Sequence, residues 1–392
     1  MTSESGPNFC TINCEKQGKA FIFQNGEDSS TVISGLTIKN CSITSSDDDA
    51  GGILCFSSSP KIENCLFKDI VGYVIYCSST SNPTIKSCSF INNRGTGIRC
   101  SSSSPTIEDC IFKKNIDHKE KIGQEGNSTY YKVYEGSGVF CSNSSPYIGN
   151  CIIEDNERIA IEIVQDSSPH IIDCKIKNNS QGIYINASTP TIVKCTISHN
   201  ISYFISGTYY YGGGVSFRDA GGYIDKCTIY ENGADYGGGI AVYESKPEIS
   251  NSLIFNNYAS EAGGGLFIKY HFTGGPSANI SFCTIVNNAV YVRSSSPYFT
   301  NCIIWGPVLN TSSIKAVIQF SNINGGYSGS GNIDINPQFE DMDNNDYTLK
   351  SNSPCIDSGT PLDINYDLNG IYRPQGSKYD IGAYEYDKFN NI

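Results

Sequence analysis

A cysteine returns along this 392-residue chain at Cys14, Cys41, Cys65, Cys88, Cys110, Cys151, Cys174, Cys195, Cys227, Cys283 and Cys302, with Ser252 holding one place in the series. Most intervals run from 19 to 27 residues, and three are longer: Cys110 to Cys151, Cys195 to Cys227 and Ser252 to Cys283. Self-similarity at this period is the signature of a solenoid, whose units bury their apolar faces only by stacking on one another.

The unit reads as a Gly-rich start, a short apolar strand, a Ser-Ser-Pro turn, a second strand, the cysteine, a third strand and an Asn turn. In GIRCSSSSPTIEDCIFKKN, Ile98 and Cys100 alternate with Arg99, as a strand with one buried face requires. Ile107, Cys110 and Phe112 point inward, while the serines, acids and lysines are expected to turn the chain or face water. No stretch carries a helical period, and the regular Leu of leucine-rich repeats is missing. The fold expected is therefore all-β, a parallel β-helix of about a dozen coils over residues 1–340.

Stacking such coils lines up columns. Asn or Asp precedes the main cysteine at Asn13, Asn40, Asn64, Asp109, Asn150, Asp173, Asn251 and Asn301, which suits a bend entering the left-handed region. Five residues after the cysteine column stand Asn93, Asn115, Asn156, Asn179, Asn200, Asn232, Asn257 and Asn288, an asparagine ladder at the ~4.8 Å strand spacing. A second thiol column, Cys55, Cys77, Cys100 and Cys141, continues as Ile163, Ile185, Phe217, Val242 and Ile268, so its thiols read as small buried hydrophobes. Neighbouring side chains in such a column run parallel, and mostly free thiols are expected.

The net charge of −12 argues against nucleic acid as the main partner. There is no apolar run of 18 residues, hence no membrane-spanning helix, and the start MTSESGPNFC reads as carrying no secretory signal. His118, His170, His199 and His271 fall on different coils and have no metal spacing. The runs Gly212 to Gly214, Gly237 to Gly239 and Gly263 to Gly265 precede strands at the repeat spacing and read as turns, not phosphate cradles.

The repeat GG-I-x-C-x-S-S-P-x-I-x-N-C-x-I-x-x-N resembles right-handed parallel β-helix proteins of the pectate lyase-like superfamily, over roughly residues 10–340. The string NPQFEDMDNNDYTLKSNSPCIDSGT with DLNGIYRPQGSKYDIGAYEY is similar to the C-terminal region of bacterial surface proteins called choice-of-anchor Q proteins, although only seven residues follow Glu385, without a sorting segment. That resemblance implies an extracellular or cell-surface protein. Residues 341–392 break the repeat and are expected to cap the last coils. Within that stretch Asp341, Asp343 and Asp346, beside Glu340, offer oxygens suited to Ca²⁺, without EF-hand spacing; no cofactor is otherwise required.

Function must then use outward positions and loops. On the Gly-Ile-x-Cys strand the outward residue runs Leu54, Tyr76, Arg99, Phe140, Glu162, Tyr184, Ser216, Ala241, Phe267 and Tyr291; two residues further on it includes Arg218, Tyr243, Lys269 and Arg293. Aromatic rings with interspersed charges suit sugar rings, and the basic group suits an acidic polysaccharide. Cross-strand stacking alone would also explain the aromatic residues. Insertions at 116–136, 201–211 and 269–279, with Tyr130, Tyr131, Tyr134, Tyr203, Tyr209, Tyr210 and Tyr211, could frame a groove. The reading is a monomeric polysaccharide-binding protein, with a lyase or hydrolase of the same groove and an adhesin as alternatives. Catalysis would need a base or a carboxylate pair; Arg99 and Glu162, about 10 Å apart, supply one acid only. Arg218 with Asp219, Lys269 with His271 and the run Asp47, Asp48, Asp49 are less specific candidates.

Overall fold

The computed structural model describes residues 1–43, 50–125, 128–202, 211–270 and 277–388, with side chains described outside 120–134. Asp47 to Asp49, Tyr203, Tyr209, Tyr210 and His271, and the side chains of Tyr130, Tyr131 and Tyr134, lie outside what is described. Two compact units divide the chain, Met1–Pro190 and Thr191–Ile392. No helix is long and apolar enough to cross a membrane among the described residues.

In the first unit each coil contributes one strand to each of three parallel sheets. Sheet 1 runs from Phe21–Phe23 through Ala50–Phe56, Tyr73–Ser78, Ile98–Ser101, Val139–Ser142 and Ile159–Val164 to Gln181–Asn186; sheet 2 holds the strands after the Ser-Ser-Pro turn, such as Thr106–Glu108; sheet 3 those after the cysteine, such as Ile111–Lys113. The second unit repeats the scheme, its sheet 1 comprising Val215–Arg218, Ile240–Tyr243, Leu266–Lys269, Val290–Arg293 and Val308–Asn310. Counted over both units, the described strands number 12, 12 and 13 in the three sheets, the dozen coils that the period predicts.

Register follows the columns. Cys77, Cys100 and Cys141 lie side by side on sheet 1, and Phe67, Phe90 and Phe112 stack inside sheet 3 with centroids 5.0 and 4.6 Å apart. Asn40, Asn64, Asp109, Asn150, Asp173, Asn251 and Asn301 all have φ between 43° and 56°, so the bend before the cysteine is left-handed as expected, except at Asn13, which ends the strand Thr11–Asn13 without a positive φ. Gly212, Gly237 and Gly263 open their Gly runs at φ of 67° to 72°, the turn geometry a side chain would strain.

The asparagine ladder is continuous within each unit where its bonds are described. Asn93 donates to Asn115 at 3.0 Å, Asn115 to Asn156 at 2.9 Å and Asn156 to Asn179 at 3.0 Å; Asn200 donates to Asn232 and Asn232 to Asn257, each at 3.0 Å. Each amide thereby satisfies buried backbone that a turn would otherwise strand.

One expectation needs correction. The serine turns do not simply face water: Ser58, Ser81, Ser103, Ser144, Ser167 and Ser188 are buried, each hydroxyl from Ser81 onward accepting the preceding rung's N–H at 3.1 Å. They form a second polar ladder because Ser is small enough for the interior and can satisfy a turn's amide. The thiols are mostly free, as expected: in the main cysteine column Cys14 and Cys41 are joined as a disulfide, and the other described cysteines are free and all but Cys10 buried.

The repeat ends at Val317–Gln319 and Asn322–Ile323. The hairpin Phe339–Asp341 and Asp346–Leu349 follows, and Phe339, Tyr347, Leu349, Cys355 and Ile381 pack on Leu253, Phe255, Val286 and Ile303 of sheet 3. The string DIGAYEY sits over a buried charge cluster. Arg373 donates to Glu385 at 3.0 Å and to the Gly382 carbonyl at 2.9 Å, and its guanidinium lies 4.4 Å from the Phe282 ring. The carboxylates of Asp367, Asp380 and Glu385 accept backbone N–H groups of Ile371, Tyr386 and Gln375. Burial pushes Asp380 up to about 7.

Candidate functional site

Sheet 1 presents its outward side chains in register, and each unit carries a distinct group. In Met1–Pro190 the order is Tyr76, Arg99, Phe140, Glu162, Tyr184 on consecutive strands. No extra coil hides between Cys110 and Cys151: Ile98–Ser101 pairs directly with Val139–Ser142, and the interval contains the antiparallel hairpin His118–Glu125 and Ser128–Tyr134. Arg99 and Glu162 are accordingly two strand spacings apart with Phe140 between them. The Arg99 guanidinium lies 4.2 Å from the Phe140 ring centroid and 4.8 Å from that of Tyr73, which meets Tyr76 edge-on at 5.7 Å. The rings hold the cation flat on the sheet.

Glu162 is the most perturbed group of this face. Burial, followed by the neighbouring Glu135 carboxyl, raises it to about 7 against the opposing pull of Arg99. Its Oε2 is buried without a hydrogen-bond partner. A like charge beside a desolvated carboxyl disfavours its ionisation, so both causes act on Glu162 in the same direction. Glu135 is thus the second acid that the sequence did not reveal. It lies in the segment re-entering the repeat after the insertion, where no column places it. Thr96 and the Ser137 N–H fix its carbonyl at 2.9 Å each, and Arg158 holds Asp117 in a bidentate pair on the same corner.

In Thr191–Ile392 the second outward column is in register as Arg218, Tyr243, Lys269 and Arg293. Tyr243 is flanked by two cations, with the Arg218 guanidinium 5.8 Å and the Lys269 ammonium 5.3 Å from its ring centroid. Among the described residues none of Arg218, Lys269 and Arg293 forms an ion pair. Burial, then the adjacent Glu244, raises the Tyr243 phenol.

The first outward column is more covered than alternation predicts. Leu54, Ser216, Ala241 and Phe267 are buried. Over Phe267 lie Tyr236 at 4.8 Å and Tyr211 at 5.9 Å, and Tyr291 stacks on it at 5.5 Å. Tyr236 closes the short strand Gly233–Tyr236, which pairs with Tyr258–Ala262 at the corner before sheet 1. Tyr291 remains half-exposed. It lines an open cavity of about 680 Å³ with Leu309, Asn310, Lys315 and Tyr327, and another of about 310 Å³ with Tyr258, Glu261 and Leu309.

The acids expected to hold Ca²⁺ do not converge. Asp341 accepts the Asn344 N–H and amide, Asp346 accepts from Thr348, and among the described residues no three His, Cys, Asp or Glu side chains could hold a metal ion. Asp341 instead caps the one-turn 3₁₀ helix Met342–Asn344, and Asp343 sits in that first turn.

Comparisons with known proteins agree with the fold. A search of the curated proteins finds no match. Among solved structures the chain is similar to pectate lyase Pel9A at 13% identity and a TM-score of 0.49, covering 94% of this chain and 97% of that one. It is also similar to the periplasmic alginate epimerase AlgG, at 10% identity and a TM-score of 0.41 over 76% of this chain and 68% of that one. A mutant of that epimerase gives 11%, 0.46, 84% and 74%. The family described as "Right handed beta helix region" matches residues 8–134, 116–214 and 137–336. With three parallel sheets, in-register columns and that match, the chain belongs to the right-handed β-helix family.

Proposed function

We propose that this chain is an extracellular or cell-surface protein that binds an acidic polysaccharide along the outward face of sheet 1. The observation that carries the reading is the register Arg218, Tyr243, Lys269, Arg293. Lys269 and Arg293 are one ~4.8 Å strand spacing apart and repel one another, and Arg218 stands two spacings from Lys269. Without carboxylate partners they are best satisfied by a ligand that repeats its negative charge along the stack. A polyuronate does so, with Arg forks pairing to its carboxylates and a sugar ring resting on Tyr291. Native electrophoresis through gels containing polygalacturonate, alginate or neutral dextran tests this. Retardation by the polyuronates alone, lost in Arg218→Gln/Arg293→Gln, supports the reading. Equal mobility in every gel opposes it and leaves the protein-partner alternative.

Glu135 and Glu162 favour a second reading, in which Met1–Pro190 also cleaves the glycan. One perturbed carboxyl, with the Glu135 charge beside it, is not the spaced acid pair of a glycosidase. It suits proton abstraction beside a uronate carboxylate, with Glu162 as a base poised near neutrality and Arg99 neutralising the substrate charge. Ultraviolet absorbance from unsaturated products, abolished by Glu162→Gln, would support cleavage; its absence across the polyuronates would leave binding alone.

A further inference from the structure

A different corner of the second unit repeats the signature of unpaired cations, this time around a cavity. On sheets 2 and 3, Val193 pairs with Asp225 and Thr196 with Thr228, so Lys194 and Lys226 follow as neighbours in one column, one strand spacing apart. Some basic rungs of these sheets face acids: Lys86 pairs with Glu108 and Asp109, and Lys177 with Glu154. Lys194 and Lys226 have no such partner among the described residues. The nearby Asp225 carboxylate is occupied by Ser250 at 2.8 Å and Asn251 at 2.9 Å.

The C-terminal segment closes this corner into a pocket. Tyr366, Leu368, Asn369, Gly370 and Tyr384 face Lys194, Thr196, Lys226 and Thr228 across a cavity of about 420 Å³. The Lys226 ammonium lies 5.4 Å from the Tyr366 ring centroid, which fixes it at the rim. Among the described residues neither threonine hydroxyl has a hydrogen-bond partner. Two lysines, two threonines and an asparagine thus line one space beside an aromatic wall.

We propose that this pocket binds a phosphate or sulfate oxyanion, free or as an ester on a sugar. The oxyanion accepts from Lys194, Lys226, Thr196 and Thr228 and relieves the repulsion between the two ammonium groups. Tyr366 and Leu368 leave room for a small apolar or sugar face beside it. This site lies on a different face from the sheet 1 column and does not depend on it.

Calorimetric titration at low ionic strength tests the pocket with inorganic phosphate, inorganic sulfate and glucose 6-phosphate, against wild type, Lys194→Met, Lys226→Met and, as a control, the exposed Lys175→Met. A saturable site is expected that weakens by roughly tenfold or more in either pocket variant and is unchanged in Lys175→Met. Tighter binding of glucose 6-phosphate than of inorganic phosphate identifies an ester as the natural ligand; equal binding identifies the free oxyanion. Circular dichroism melts confirm that the variants fold. No saturable binding of any probe, or binding that survives in folded Lys194→Met and Lys226→Met, overturns the proposal. Because the polyuronate experiment reads a different column, either result can fail without the other.

Discussion

Glu162 keeps a proton on sheet 1 that a free carboxyl would release, and the sign of that shift has a stability consequence. Between its ordinary value of 4.5 and about 7, the folded chain holds the proton while the unfolded chain has lost it. Its contribution to stability is full below 4.5 and disappears as pH rises through 7. Denaturant unfolding followed from pH 4.5 to 8 should therefore show a decline on the order of 3 kcal/mol from Glu162, to which Asp380 adds its own, and Glu162→Gln should remove the first part. An unchanged slope in the variant would contradict a proton held on Glu162 by its burial. Elsewhere single side chains act as rungs. Asn156→Ala removes the acceptor of the Asn115 N–H and of one Asn115 amide hydrogen, and the side-chain donor to the Phe112 carbonyl, and should cost about 2 to 4 kcal/mol in the same assay. Cys141→Val, in a column that already continues as Ile163, should change stability by less than about 1.5 kcal/mol. The asparagine and cysteine columns were legible in the sequence because their residue types recur at one offset from the period. The buried serines were not, since a Ser-Ser-Pro string reads as a turn whichever serine is buried. Glu135 was hidden for the opposite reason: it stands at the end of an insertion and has no equivalent in other coils.

Among elements, the three strands of each coil are too short to stand alone and take their geometry from neighbours in register. The bends before the cysteine show how sequence prescribes the corner: Asn and Asp dominate, yet Ser87, Lys194 and Lys226 adopt the same positive φ because stacking imposes it. The corner strands Gly233–Tyr236 and Tyr258–Ala262 escaped the alternation argument, since their Gly and Ala carry no apolar period, and they bring Tyr236 over Phe267. The C-terminal segment has its own logic. It attaches to sheet 3 through the apolar cluster around Tyr347 and through Arg373, one buried cation among Asp367, Asp380 and Glu385. Arg373→Met should destabilise this segment by about 3 to 5 kcal/mol, because it leaves those carboxylates buried without their cation. Limited proteolysis reports it: earlier cleavage within 341–388 is expected while the repeat stays resistant, and cleavage kinetics like the wild type's would contradict the role given to Arg373.

At the scale of the whole molecule, the repeat sets out, within each unit, a ruler of side chains at the strand spacing, and this device links fold to function. Residue types inside the ruler are interchangeable hydrophobes or polar rungs; those outside are free to follow a ligand. Position in the repeat was enough to predict that Arg218, Tyr243, Lys269 and Arg293 align. It was not enough to predict which outward neighbours are covered, since Tyr236 and Tyr211 reach Phe267 from outside the period. The measurement that tests the functional account most directly is the salt dependence of polyuronate binding by wild type and by Arg218→Gln/Lys269→Gln/Arg293→Gln, each melt-checked for folding. Wild-type affinity should fall steeply as ionic strength rises, and the triple variant should bind at least about tenfold more weakly at low salt with a shallower slope. Equal affinity and equal slope in the two proteins would contradict the assignment of this column as the polysaccharide site.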